Sequence, residues 1–329
     1  MALSTRTSGI LISVVLSVGM ISAAYFLSSS SGPAVADAES TEALLKAYAS
    51  LDTDGDNLMD WQEKLYGTDP ANPHTLDATL TDRQVVDSGK VEPLFASETE
   101  AVSLDNEELP GIEVGPETLT DRFARQLFTD YLTGGSKVPT EDDLLVFVDS
   151  EIDALVNDNS AKSAYGANNV STVPGGADAL RAYAVVFERI IAENSTDTDR
   201  SELEYFADAV HGRSTDGLET VRTIGKAYTS TAKALTGISV PTELRATHVR
   251  IVNALSRMGT IVTNMAEFEK DPLLSFVSIS SYEATITDLA EGFEALYPSY
   301  ASANISFNQG EAGASFLLML QIIASQMQN

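Results

Sequence analysis

The stretch "PTELRATHVRIVNALSRMGTIVTNMAEFEKD", residues 241–271, decides the fold. Its seam runs Leu244, His248, Ile251, Leu255, Met258, Val262 and Met265. The steps alternate four and three, which keeps every member on one stripe of a helix packed in a bundle. Pro241, Thr242 and Glu243 lie ahead of it and suit a helix start, where proline loses no hydrogen bond and an acid meets the positive end of the dipole. Helical spacing extends in both directions. Tyr282, Ile286, Leu289, Phe293 and Leu296 repeat the rhythm after Pro272, and Leu119, Phe123, Leu127 and Tyr131, four apart, lie on one helical face before a pair of glycines at 134 and 135. Helices are also expected over 139–159 and 177–194 and near 199–212 and 217–236. The last segment, "ASFLLMLQIIASQM" (314–327), is apolar nearly all round and reads as the buried central helix. No segment shows convincing alternation with period two, so the expected class is all-α, with residues 117–329 forming a multi-helix bundle.

Composition narrows the function. The 329 residues hold 43% hydrophobic residues, enough for a sizeable core. Lys and Arg number 20 against 48 Asp and Glu, a net charge of -28 that argues against nucleic acid as a partner. Cysteine is absent, which removes disulfides, thiolate metal sites and cysteine nucleophiles.

Residues 9–27, "GILISVVLSVGMISAAYFL", carry no charge and reach most of the way across a bilayer core of roughly 30 Å. Arg6 precedes them, so the positive-inside rule leaves residues 1–8 in the cytoplasm and 28–329 outside. The favoured expectation is a retained single-pass anchor in the cell membrane, followed by a linker over 28–41. The alternative is secretion after cleavage near Ala36, in the small-residue sequence "AVA".

Just beyond lies "LDTDGDNLMDWQEKLYGTDPANPH", residues 51–74. Counted from Asp52, positions 1, 3, 5, 9 and 12 are Asp52, Asp54, Asp56, Asp60 and Glu63, and position 7 is Leu58. This is the ligand spacing of a twelve-residue calcium loop: carboxylates at 1, 3 and 5, a backbone carbonyl at 7, a carboxylate at 9 acting directly or through water, and a bidentate Glu at 12. Position 6 holds Asn57 instead of glycine, and Asn is the next most tolerant residue of a left-handed backbone. The helix after the loop is short, ending by Gly67 and two prolines, unlike the long flanking helix of an EF-hand.

The phrase "LDTDGDNLMDWQEKLYGTDPANP" resembles the thrombospondin type 3-like, EF-hand-like calcium-binding repeats of bacterial surface proteins, over roughly residues 42–90. The resemblance implies a calcium module over 42–73 and a tandem copy after it. At the corresponding positions that copy holds His74, Leu76, Ala78, Leu80, Asp82 and Val85, so it is a degenerate repeat that has lost its ion. A single loop of this kind implies weak, structural calcium binding, on the order of 0.1 to 1 mM. The degenerate repeat opens an acidic linker over 74–116, with no basic residue between Lys90 and Arg122.

Enzyme signatures are missing. The three histidines, His74, His211 and His248, form no H-E-x-x-H, and there is neither a G-x-S-x-G elbow nor a phosphate loop. His248, in an apolar seam, reads as a hydrogen-bonded core residue. The layout of anchor, calcium module, acidic spacer and bundle is similar to uncharacterised exported proteins of bacterial candidate phyla, a resemblance that implies no activity. The expectation is an exported, membrane-anchored calcium-binding protein, not an enzyme, with a structural or protein-interaction role at the cell envelope. Its partners would be the membrane, through 9–27, and a protein at the surface. The alternative is an extracytoplasmic receptor holding a small ligand between bundle helices.

Overall fold

The computed structural model describes residues 46–91, 118–123, parts of 140–150, and 164–327. The expected anchor at 9–27, the linker at 28–41 and most of the acidic tract after residue 91 lie outside the described residues, as do Leu127 and Tyr131. Among the described residues no helix is long and apolar enough to cross a membrane.

The described chain is mostly helical. Two short helices, α1 (Asp60–Tyr66) and α2 (Asp82–Asp87), belong to the amino-terminal module. Among the described residues the bundle includes α3 (Ala177–Asn194), α4 (Glu202–Val210), α5 (Leu218–Thr236), α6 (Arg245–Met265), α7 (Pro272–Ile279), α8 (Tyr282–Glu294), α9 (Tyr297–Ser302) and α10 (Ala314–Met327). One pair of three-residue strands, β1 (Ser171–Val173) and β2 (Ser239–Pro241), runs parallel with Val173 opposite Pro241. Segments this short leave no alternation in the sequence. Pro241 therefore closes a strand, and a single 3-10 turn over Thr242–Leu244 precedes the start of α6 at Arg245.

α6 is the central helix. It packs against α5, α7 and α8, and all seven seam residues from Leu244 to Met265 are buried. Val252, Asn253, Ala254 and Ile261 on its other sides are buried too. The expectation that 314–327 is central is corrected: α10 lies at the flank, against α3, α8 and α9. It buries Phe316, Leu317, Met319, Leu320, Ile323 and Ala324 and exposes Leu318, Gln321 and Ser325. These three fall on one helical stripe, and because the first is a leucine the stripe is hard to see in the sequence.

α5 and α6 touch backbone to backbone. A Cβ placed on Gly225 would stand 2.7 Å from the Thr263 amide nitrogen, and one on Gly259 would stand 2.9 Å from that of Thr229. The two glycines, each four residues before the threonine that faces the other, let the helix axes approach closely. The single helix expected after Pro272 is two, α7 and α8, broken at Ser280 and Ser281. Asp271 starts α7 by accepting from the Leu274 amide, and it also accepts from the amides of Leu119 and Thr120, at 2.8 and 3.1 Å. One buried carboxylate thus caps two helix starts.

The module is built onto this bundle. Tyr48 lies against Phe268 and Phe276, with ring centroids 5.5 and 5.0 Å away. Trp61 of α1 meets Phe123 at 6.0 Å, and its indole Nε1–H donates to the Ala49 carbonyl at 3.0 Å. Tyr48, Ala49 and Trp61 belong to the same buried cluster as the helices behind them.

Candidate metal centre

The loop from Asp52 to Glu63 is shaped by its own side chains. Asp52 accepts from the Gly55 amide with one oxygen, at 2.8 Å, and from the Asn57 amide with the other, at 3.0 Å. Asp54 accepts from the Asp56 amide, and Asp56 from that of Leu58 at 2.7 Å. These bonds turn the chain back on itself, and Asn57 at position 6 takes φ +71°, the left-handed conformation expected there. The result brings carboxylate oxygens of Asp52, Asp54 and Asp56 within 4.8 Å of one another.

Glu63 comes from the first turn of α1 and is completely buried. Its Oε1 accepts from the Thr68 hydroxyl at 3.3 Å, while Oε2 is buried with no hydrogen-bond partner. Asp54 Oδ2 is likewise buried and unpartnered. Burial first, and then the charges of Asp54, Asp60 and Asp56, push the Glu63 carboxyl up to about 8. Burial also raises Asp54, with the amide bond from Asp56 opposing it and the neighbouring aspartates adding to it. Among the described residues no Lys or Arg is ion-paired to any of these carboxylates. Two orphaned buried carboxylate oxygens beside converging carboxylates would be stabilised by a cation between them.

Of the six residues marked in the sequence, Asp52, Asp54 and Asp56 form the cluster and Glu63 lies beside it. Leu58 is fully buried. Asp60 is occupied differently: its two oxygens accept from the Thr53 amide at 2.8 Å and the Thr53 hydroxyl at 2.7 Å. It latches position 9 to position 2, each oxygen retaining a lone pair. The cluster could bind a metal ion, and its donors are all oxygens, the set preferred by hard cations.

Nothing in the residue spacing marks Arg83 as part of this centre. Its amide donates to Asp56 Oδ2 at 2.9 Å, and its guanidinium Nη1 donates to the Asn57 carbonyl at 3.3 Å. The contact spans 27 residues and becomes visible only once the second repeat is folded against the first.

His248, on the apolar seam of α6, is fully buried with both ring nitrogens engaged. Nδ1 lies 2.9 Å from the Tyr183 hydroxyl and Nε2 lies 3.1 Å from the Leu235 carbonyl. A carbonyl can only accept, so Nε2 carries the proton and Nδ1 accepts from Tyr183. Burial lowers the imidazole to about 4, against the opposing bond to Leu235. It is a neutral core histidine.

Comparison of the chain with protein-family models, with curated proteins and with solved structures gives no match.

Proposed function

We propose that the chain is an exported, membrane-tethered protein that binds one calcium ion in the loop from Asp52 to Glu63 and uses it to fix the amino-terminal segment onto the helical bundle. The carrying observation is the buried pair of unpartnered oxygens, Asp54 Oδ2 and Glu63 Oε2, next to the cluster of Asp52, Asp54 and Asp56. Asp52, Asp54, Asp56 and Glu63 would bind through side chains, Leu58 through its carbonyl, and Asp60 directly or through water. Calcium is favoured over magnesium because the set supplies about seven oxygens, and magnesium demands a smaller octahedron and retains its waters. Export and tethering rest on the apolar run at 9–27, and the role is structural or protein-binding rather than catalytic.

The loop is docked on the bundle at two points, Tyr48 just before it and Trp61 near its end. Holding the loop closed fixes the spacing of those points. The receptor alternative gains nothing from His248, whose two nitrogens are already satisfied within the core.

The test is calorimetric titration of the full chain in detergent with calcium and with magnesium, beside Asp52→Ala and Glu63→Ala. Calcium heats with a stoichiometry of one, absent from both variants and weaker for magnesium, are expected. Equal heats for wild type and variants would remove the assignment.

A further inference from the structure

Residues 73–89 repeat the framing contacts of 51–67 at an offset of 22 residues. The Asp60 amide donates to the Leu51 carbonyl at 2.9 Å, and the Asp82 amide donates to the Pro73 carbonyl at 3.0 Å. The Thr53 amide donates to Asp60 at 2.8 Å, and the Thr75 amide donates to Asp82 at 3.0 Å. Gln62 reaches back to the Met59 amide and Gln84 to that of Thr81, at 2.9 and 3.1 Å. Both helices stop before a left-handed glycine, Gly67 at φ +73° and Gly89 at φ +69°. The second repeat has thus kept the ties that frame the loop, without the left-handed turns of Gly55 and Asn57, while losing the carboxylates at four of its five side-chain ligand positions.

Its closure comes from another source. In the first loop an ion would join position 1, Asp52, to the carbonyl at position 7, Leu58. In the second, position 1 is His74, and its Nδ1 lies 2.9 Å from the Leu80 carbonyl, which is position 7. The acceptor is a carbonyl, so Nδ1 carries the proton, and one N–H···O bond spans the two positions without a metal. Asp77 adds a second brace by accepting from the Thr79 amide and hydroxyl and from the Leu80 amide. Asp82, fully buried, accepts from two amides, those of Thr75 and Leu76.

This self-closed copy is pressed against the candidate calcium loop. The Arg83 amide, in the first turn of α2, holds Asp56 Oδ2, while the Leu58 amide holds Oδ1. Val86 of α2 packs with Leu58, Leu65 and Tyr66 in a small cluster of its own. We propose that the second repeat is the rigid partner of the calcium loop, an ion-free copy closed by His74 that holds Asp56 in position through the Arg83 amide and thereby sets calcium affinity. The proposal rests on the calcium reading above. Pre-positioning a ligand removes part of the ordering cost of binding, and by linkage the ion must stabilise the second repeat by the factor that the repeat adds to its affinity.

The experiment compares calcium titrations of the full chain in detergent for wild type, His74→Ala, His74→Asn and Val86→Ala, all of unchanged formal charge with His neutral. Asn places its Nδ2–H where His74 has Nδ1–H. Wild type should bind one ion. His74→Ala and Val86→Ala should each bind about tenfold more weakly, and His74→Asn should recover most of the loss. In wild type, calcium should also slow hydrogen exchange of the Arg83 amide, a readout independent of the variants' folding. Wild-type affinity in both alanine variants, with no change in Arg83 exchange, overturns the coupling and leaves the calcium site standing. A second bound ion overturns the ion-free assignment. A wild type that binds no calcium overturns both readings.

Discussion

Replacing Glu63 by Gln should stabilise the protein when no calcium is present and abolish the stabilisation that calcium gives. Glu63 is fully buried and its carboxyl sits at about 8 against 4.5 for an ordinary Glu. Between those values the unfolded chain has released a proton that the folded chain keeps, so stability falls as pH rises from about 4.5 to about 8. At pH 7 the span is about 2.5 pH units, a ceiling of about 3 kcal/mol carried by the ion-free fold. Gln has nearly the same shape, can still accept from Thr68, and can donate to the aspartates facing it. In chelator at pH 7, Glu63→Gln should therefore gain up to about 3 kcal/mol, and at pH 4.5 the gain should largely vanish. With a dissociation constant on the order of 0.1 to 1 mM, 10 mM calcium should raise wild type by about 1.4 to 2.7 kcal/mol and leave the variant unmoved. Urea unfolding followed by fluorescence of Trp61, the single tryptophan, measures all of these. A variant less stable than wild type in chelator at pH 7, or one gaining as much from calcium as wild type, would refute the reasoning.

His248 should make the bundle acid-sensitive. Its folded value of about 4 lies below 6.5, so its contribution is complete above pH 6.5 and is lost as pH falls toward 4, by up to about 3 kcal/mol. The stability difference between wild type and His248→Gln in urea should shrink over that window, and a constant difference would contradict it. Gly259→Val should cost at least about 2 kcal/mol, because its Cβ meets the α5 backbone at Thr229, and a thermal melt within a degree of wild type would contradict that. Asn57→Gly should relieve the left-handed strain at φ +71°, adding about 0.5 kcal/mol and tightening calcium about twofold, as read by melting and calorimetry.

Much of the bundle was legible because burial follows a helical period. The seam from Leu244 to Met265 and that from Tyr282 to Leu296 are both buried as spaced. What the period does not encode is which helix lies inside. α6 carries polar residues such as Asn253 in its interior, bonded to Tyr165 through both its carbonyl and its amide group, while the more apolar α10 lies at the flank. The loop spacing was legible because each carboxylate has a fixed position, and the left-handed Asn57 followed from it. The latch of Asp60 onto Thr53 and the depth of Glu63 were not, since both depend on how α1 packs. The second repeat was read as a loss of ligands, although Thr75, Leu80, Asp82, Gln84 and Gly89 stand 22 residues after Thr53, Leu58, Asp60, Gln62 and Gly67; the spacing did not show that Asp82 and Gln84 make the same framing bonds as Asp60 and Gln62.

The position of the loop gives the ion a mechanical meaning. Leu51, which opens the loop, approaches Gly212 at the end of α4, with a Cβ built there 3.8 Å from one of its methyls. Its carbonyl accepts from the Asp60 amide, at the start of the helix that carries Trp61 into the core. The entry and exit of the loop are thus tied to each other and separately to the bundle. Without a cation, mutual repulsion of the carboxylates acts against both ties at once. With one, the same charges hold the segment that leads back toward residues 9–27 to the bundle. On the proposed calcium reading, a filled loop stiffens this joint with the bundle and an empty one loosens it.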